Sequence, residues 1–156
     1  MLFQATEVFL LKENHILLGH KKTGMGTGKI LGIGGHVEAG ERLTETAVRE
    51  VKEEVFITLK EAALQPIAIF EYIYPAKPKW NAQVHFFTVR QWEGTPQESS
   101  EIKPEFFPLN NIPYDQMWQD SKLWLADALK GKRLKGKVTF GNDNETVVEH
   151  SIVEWI

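Results

Sequence analysis

The chain has 156 residues, 42% of them hydrophobic, enough for one compact domain (1–156) that needs neither disulfides nor a structural metal to hold a core. Its 18 Lys and Arg against 21 Asp and Glu leave a net charge of −3, and no basic block makes a duplex-binding face, so a nucleic-acid polymer is not an expected partner. Cysteine is absent, which excludes a disulfide framework and thiolate chemistry and fits a reducing, cytoplasmic setting.

Met1 to Leu11 reads as a strand, and Asn14 sits in a short turn before a second strand, Ile16 to His20. The apolar run Val8 to Leu11 is short, follows Glu7 and lacks a basic leader, so neither a signal peptide nor a membrane span is expected. Thr23 to Gly40 carries Gly24, Gly26, Gly28, Gly32, Gly34, Gly35 and Gly40, a density that reads as loop. From Glu41 to about Val55, the residues Leu43, Ala47, Val48, Val51 and Val55 recur at helical spacing with no Gly or Pro between them, which predicts a helix.

Strands follow at Pro66 to Tyr74 and Gln83 to Trp92, joined by a surface loop holding Pro75, Pro78 and Trp80. Pro96 to Pro113 is broken by prolines and acidic residues. A second helix is predicted over Asp120 to Leu129, packed through Leu123, Trp124, Ala126 and Leu129 and capped by Asp120 or Ser121. Lys137 to Phe140 and Thr146 to Val153 read as a closing hairpin around Gly141-Asn142-Asp143-Asn144.

On the first helix Glu50, Glu53 and Glu54 stand at i, i+3 and i+4, so their carboxylates gather on one face beside the apolar stripe. Like charges at these spacings cost about 0.2–0.5 kcal/mol per pair, and Glu54 falls at the edge of the stripe that should be buried. Arg49 can offset part of this charge. A solvated acidic helix face would show the same pattern, but clustered hard oxygen ligands are also what magnesium or manganese selects.

Gly35, Glu41, Arg49, Glu50, Val51, Glu53, Glu54 and Ile57 fall at the spacing Gly, five residues, Glu, seven residues, Arg-Glu-aliphatic-x-Glu-Glu-x-Gly-aliphatic. In these eight positions the chain resembles the Nudix hydrolases. Phe56 stands where that pattern has Gly, so a different end to the helix is expected. The resemblance implies an α/β fold: an α/β/α sandwich with a mixed sheet, a loop–helix–loop catalytic motif and a C-terminal β-hairpin. It also implies magnesium-dependent cleavage of a nucleoside triphosphate to the monophosphate and pyrophosphate, with manganese an alternative ion. Glu50, Glu53 and Glu54 are then metal ligands, Glu53 serves also as base, and the Gly34 carbonyl is a further ligand. Arg49 and Glu41 become supports that fix the Gly35 loop against the helix and orient the ligand carboxylates.

Three further segments, Leu17 to Lys22, Gly94 to Ser99 and Met117 to Trp124, resemble the branch of the family that hydrolyses oxidised purine nucleoside triphosphates such as 8-oxo-dGTP and 2-oxo-dATP. That resemblance adds Glu101 to the metal carboxylates and places Thr6, Met25, Leu31, Phe70 and Tyr72 around the base. Trp118, Asp120 and Ser121 join them, with Lys21 near the pocket or the phosphates. Aromatic faces can stack on a purine, and Asp120 can accept hydrogen bonds from its edge. Ordinary roles compete, since strand aromatics are usually core and an Asp before a helix is usually its cap.

Leu31 and Ser121 depart from that branch, which has an Asn and a second Asp at these places, and such changes in hydrogen bonding can redirect selectivity. Unmodified nucleoside triphosphates, nucleoside diphosphate sugars and dinucleoside polyphosphates are therefore alternative substrates, and a non-catalytic nucleotide-binding module is a second alternative. Lys130, Lys132, Arg133, Lys135 and Lys137 form a small patch that reads as solvated surface rather than a seat for RNA. His36 lies in the loop, where exposure to solvent is expected. A monomer acting on a small-molecule nucleotide, away from any membrane, is the expected state.

Overall fold

The computed structural model describes residues 2–155, so Met1, where the first expected strand begins, lies outside the described residues. The opening hairpin forms from β1 (Phe3–Lys12) and β2 (His15–Lys21), with Leu10 opposite Leu17. Val8 and Leu10 point to one side of β1 and Phe9 and Leu11 to the other, and all four are buried. A strand covered on both faces reads as a continuous apolar run rather than an alternation.

The glycine-rich stretch is not wholly loop. It contains β3 (Ile30–Leu31) and β4 (Ile33–His36), and β4 runs antiparallel to β1 with Gly34 opposite Glu7. A Cβ on Gly34 would lie 1.8 Å from the Thr6 carbonyl oxygen, so this pairing is open only to glycine. The glycines that suggested a loop serve close strand approach here.

The first helix, α1, covers Leu43–Val55 and starts two residues later than expected, because Glu41 turns back to the loop. The Glu45 carboxylate accepts the Arg42 backbone N–H at 2.9 Å, meeting one donor left open at the helix start. Its C-terminal end corrects the expectation of an altered geometry. Phe56 adopts the left-handed conformation (φ 63°, ψ 32°) that glycine takes there, and its N–H reaches the Lys52 carbonyl at 3.1 Å. A non-glycine residue in that region costs about 1–2 kcal/mol.

Next come β5 (Gln65–Ile73), β6 (Ala82–Val89) and β7 (Ile102–Pro108), followed by α2 (Ser121–Leu129) and the hairpin β8 (Leu134–Phe140) and β9 (Val147–Glu154). The strand β7 falls within the segment expected to be broken. Among the described residues it pairs only with β2, at an edge, where Pro104 and Pro108 need not donate to a second neighbour. Strand order is β3-β2-β1-β6-β5-β8-β9, with β4 beside β1; β1 is parallel to β6 and β5 to β8, the remaining pairs antiparallel. This is a mixed sheet.

One face of the sheet is covered by α1, which packs Ala47, Val51 and Val55 onto Val8, Leu10, Leu17 and Ile33. On the other face α2 packs Trp124 and Leu125 with Phe9, Phe70 and Phe86. The result is the expected α/β/α sandwich with a C-terminal hairpin. No helix among the described residues is long and apolar enough to cross a membrane.

Candidate active site

On α1, Arg49 is the centre of a charged brace. Its Nε and Nη2 donate to the two Glu41 carboxylate oxygens at 2.7 and 3.0 Å, its Nη1 donates to Glu50 at 2.7 Å, and its Nη2 also meets the His36 carbonyl at 3.1 Å. A planar guanidinium can hold two carboxylates and a carbonyl at once, which a lysine cannot. Glu41 additionally accepts the Glu38 N–H and the Thr46 hydroxyl. Hydrogen bonding to Arg49, then to the Glu38 amide, pulls the Glu41 pKa down to about 2.

The loop is pressed against this brace through Gly35. A Cβ there would sit 2.4 Å from the Glu50 carboxylate carbon, so a glycine is what lets β4 and the Glu50 carboxylate meet. Glu54 is buried at 3% exposure, and burial, then the neighbouring charge of Glu50, with Glu101 adding to it, pushes its pKa up to about 8 against the opposing Lys21 charge and Gly34 amide. Glu50 is likewise raised by burial, with Glu53 and Glu101 adding to the effect and Arg49 opposing it. A buried Glu54 with no ion pair among the described residues, beside a half-buried Glu50 that shares Arg49 with Glu41 and Glu53, leaves negative charge that a divalent cation relieves, so the residues fit a hard metal ion.

The cluster is loose as it stands. Glu53 is exposed and leans to Arg49 at 3.4 Å, Glu101 is exposed, and among the described residues no three acidic or histidine side chains converge as a compact metal centre. Like charges at these separations repel, and Arg49 takes up Glu50 and Glu53 from one side.

Across the sheet lies a cleft. Thr6, Lys21, Met25 and Leu31 line it from the β1–β4 side, and Tyr72, Trp118, Asp120 and Ser121 from the α2 side, with Gly34, Gly35 and His36 at the end nearest α1. Tyr74 sets its ring edge on to Trp118 at 5.9 Å between centroids, and Lys29 lies 4.8 Å over the Trp118 ring. Asp120, 1% exposed, accepts from the Tyr72 hydroxyl at 2.7 Å and the Trp124 indole N–H at 2.9 Å, both on Oδ2. It makes no side-chain cap to α2. Burial raises its pKa, against the two donors. The Tyr72 phenol is pushed up too, by burial and then by Asp120, and so stays a donor.

Phe70 is a correction. It is fully buried, 4.7 Å from the Trp124 ring, and does not reach the cleft. Thr6 is nearly buried, and its Oγ1 has no partner among the described residues. His36 is exposed as expected, beside Phe3. The cleft also holds residues that sequence reasoning missed, chiefly Glu7, Tyr74 and Trp80. The one signal for Glu7 was a carboxylate set inside an otherwise apolar strand.

A glycine-tight strand, an acidic helix braced by one arginine and an aromatic cleft beside them define a loop–helix–loop site of the Nudix class. The NUDIX domain family description matches residues 1–128, and the chain belongs to the Nudix family. It is 36% identical to the oxidized purine nucleoside triphosphate hydrolase of Danio rerio over 149 residues, covering 96% of this chain and 93% of that protein. The Mus musculus protein of the same name is 33% identical over 149 residues, with the same shares covered. Among solved structures, a mutator MutT protein from Bacillus halodurans superposes with a TM-score of 0.80 over 97% of both chains at 22% identity, a likeness of fold.

Proposed function

We propose that the chain is a magnesium-dependent pyrophosphohydrolase of oxidised purine nucleoside triphosphates, such as 8-oxo-dGTP and 2-oxo-dATP, working as a single-domain monomer in the cytoplasm. One observation carries the reading: Gly34 and Gly35, against the acidic helix, border the same cleft as Trp118 and Asp120. A nucleotide can therefore seat its base and present its phosphates to the carboxylates together. The two animal relatives bear the name of this activity.

Glu50, Glu53, Glu54 and Glu101, with the Gly34 carbonyl, are the groups that would hold the ion. A bound magnesium or manganese ion would offset phosphate charge and make a water more acidic. Glu53 is exposed, held only at 3.4 Å by Arg49, and takes the proton from the attacking water. The water oxygen bonds to phosphorus, the bridging oxygen bond between the α and β phosphates breaks, and the electron pair leaves with that oxygen. Glu41 and Arg49 keep Glu50 aimed. Lys21, at the cleft wall, stands ready for a phosphate oxygen. Trp118 and Tyr72 offer surfaces to the base, and Asp120 Oδ1 accepts from its edge.

Leu31 favours a second reading. It lines the cleft without a donor or acceptor, which suits a Nudix pyrophosphohydrolase of unmodified nucleoside triphosphates, nucleoside diphosphate sugars or dinucleoside polyphosphates. Phosphate release, coupled to pyrophosphatase with magnesium, across 8-oxo-dGTP, 2-oxo-dATP, the four normal dNTPs, ADP-ribose and a dinucleoside polyphosphate separates the two. The proposal expects the oxidised purines to lead by about tenfold or more in kcat/KM. A lead by any other compound overturns it.

A further inference from the structure

Glu7 is the residue that the chemistry above leaves without a task. On β1 the odd-numbered side chains face α2: Phe9 and Leu11 on that side are core, and Glu7, two residues nearer the strand start, lines the cleft. Its stem runs over Gly32, where a Cβ would stand 3.0 Å from the Glu7 Cγ, so glycine at 32 makes room for this side chain. Among the described residues the carboxylate has neither an ion pair nor a side-chain hydrogen bond; a backbone amide, that of Gly32, is its polar neighbour. It lies close enough to Asp120 for the two charges to oppose each other. Removing a carboxylate from water without a partner is costly, and leucine or valine would serve the strand better at no such expense.

Asp120 is in a matching condition. Tyr72 and Trp124 both occupy Oδ2, and among the described residues Oδ1 receives no side-chain donor. Two acceptors thus face one aromatic cleft from different elements, one from β1 and one from the start of α2.

We infer that Glu7 is a second base-reading carboxylate and that, with Asp120, it selects purines presenting N–H donors on two edges. The inference rests on the cleft being the nucleobase site. An 8-oxopurine meets the requirement, because oxidation at C8 replaces the N7 acceptor with an N7–H donor while the Watson–Crick edge of guanine keeps its own N–H groups. Unoxidised guanine offers donors on one edge; burial and then the Asp120 charge push the Glu7 pKa up to about 8, so the guanine N7 lone pair is met only by the protonated acid, without the charged hydrogen bond that an N7–H donor makes to the carboxylate. A charged hydrogen bond open to one base and not to the other separates them more strongly than an apolar wall does.

The test is binding of product nucleotides to the full chain by calorimetry, comparing 8-oxo-dGMP with dGMP for the unaltered protein, Glu7→Leu and Glu7→Gln. The expected result is a preference for 8-oxo-dGMP of about tenfold or more that falls to within about threefold in Glu7→Leu, as loss of a charged hydrogen bond implies. Glu7→Gln, which keeps one acceptor, falls between. Both variants are checked for folding by circular dichroism and thermal melting. Folded variants that keep the original preference overturn the inference. Turnover of 8-oxo-dGTP by the unaltered chain, measured alongside, separates the two claims: turnover with a preference insensitive to Glu7 removes this inference alone. No turnover of any purine triphosphate removes the functional reading as well.

Discussion

The two faces of the sheet are built in opposite ways. The α1 face concentrates charge on one continuous stretch, where Arg49 binds Glu41 and Glu50 within a few residues of sequence. The α2 face draws its cleft from separate elements, with Tyr72 from β5, Asp120 and Ser121 from the start of α2, and Leu31 from β3. Chemistry that any phosphoanhydride needs can be fixed by a local motif, whereas recognition of one base needs walls from several directions. Changes on the α1 face should alter how fast any substrate reacts; changes on the α2 face should alter which one does.

The largest effect that would sharpen this contrast is on Glu50. Glu50→Gln should lower kcat/KM by about 10²-fold or more for every nucleotide hydrolysed, since it removes a ligand and the group that Gly35 admits. A loss confined to one base would break the contrast. Magnesium at a hundred times its dissociation constant should stabilise the fold by about 2.7 kcal/mol, raising Tm by about 5–10 °C, and Glu54→Gln should abolish most of that rise in differential scanning calorimetry. An equal rise in the variant would place the ion elsewhere.

Glu41→Gln should cost about 10–100-fold in turnover with base preference intact, because Glu41 acts through Arg49. Its stability effect has a defined sign. The folded pKa of about 2 lies below the ordinary 4.5, so the ion pair contributes fully above about pH 4.5 and is lost as pH falls towards 2. Urea titrations of the two proteins should differ at pH 7 and converge near pH 2. A gap that persists at the acid end contradicts the assignment. Smallest is Phe56→Gly, which should be worth about 0.5–1 kcal/mol of added stability, left-handed strain relieved being partly offset by a more flexible unfolded chain. Loss of stability there would mean that the half-exposed Phe56 ring carries more than its backbone angle suggests.

The same division explains what could be read before the fold was known. Helix α1 and its carboxylates were legible because helical spacing and the family motif are both local. Strands β3, β4 and β7 were not, since their partners lie elsewhere in the chain and their glycines and prolines signal breaks unless one knows that the strands are tightly packed or at an edge. Phe70 and Tyr72 share a face of β5, yet only Tyr72 reaches the cleft; depth along the strand separates them, which alternation cannot show. Asp120 has the sequence position of a helix cap, but Tyr72 and Trp124 claim its carboxylate, a choice made by residues that meet only after folding. Glu7 was hidden by the strand pattern around it.

The most direct test of the division between faces is a pair of variants assayed on 8-oxo-dGTP and dGTP. The account predicts that Glu54→Gln lowers kcat/KM for both by a similar factor and leaves their ratio unchanged. Glu7→Leu should instead cut kcat/KM for 8-oxo-dGTP by about tenfold more than for dGTP, mainly through KM. An equal loss on both substrates from Glu7→Leu, or a changed ratio from Glu54→Gln, would contradict it.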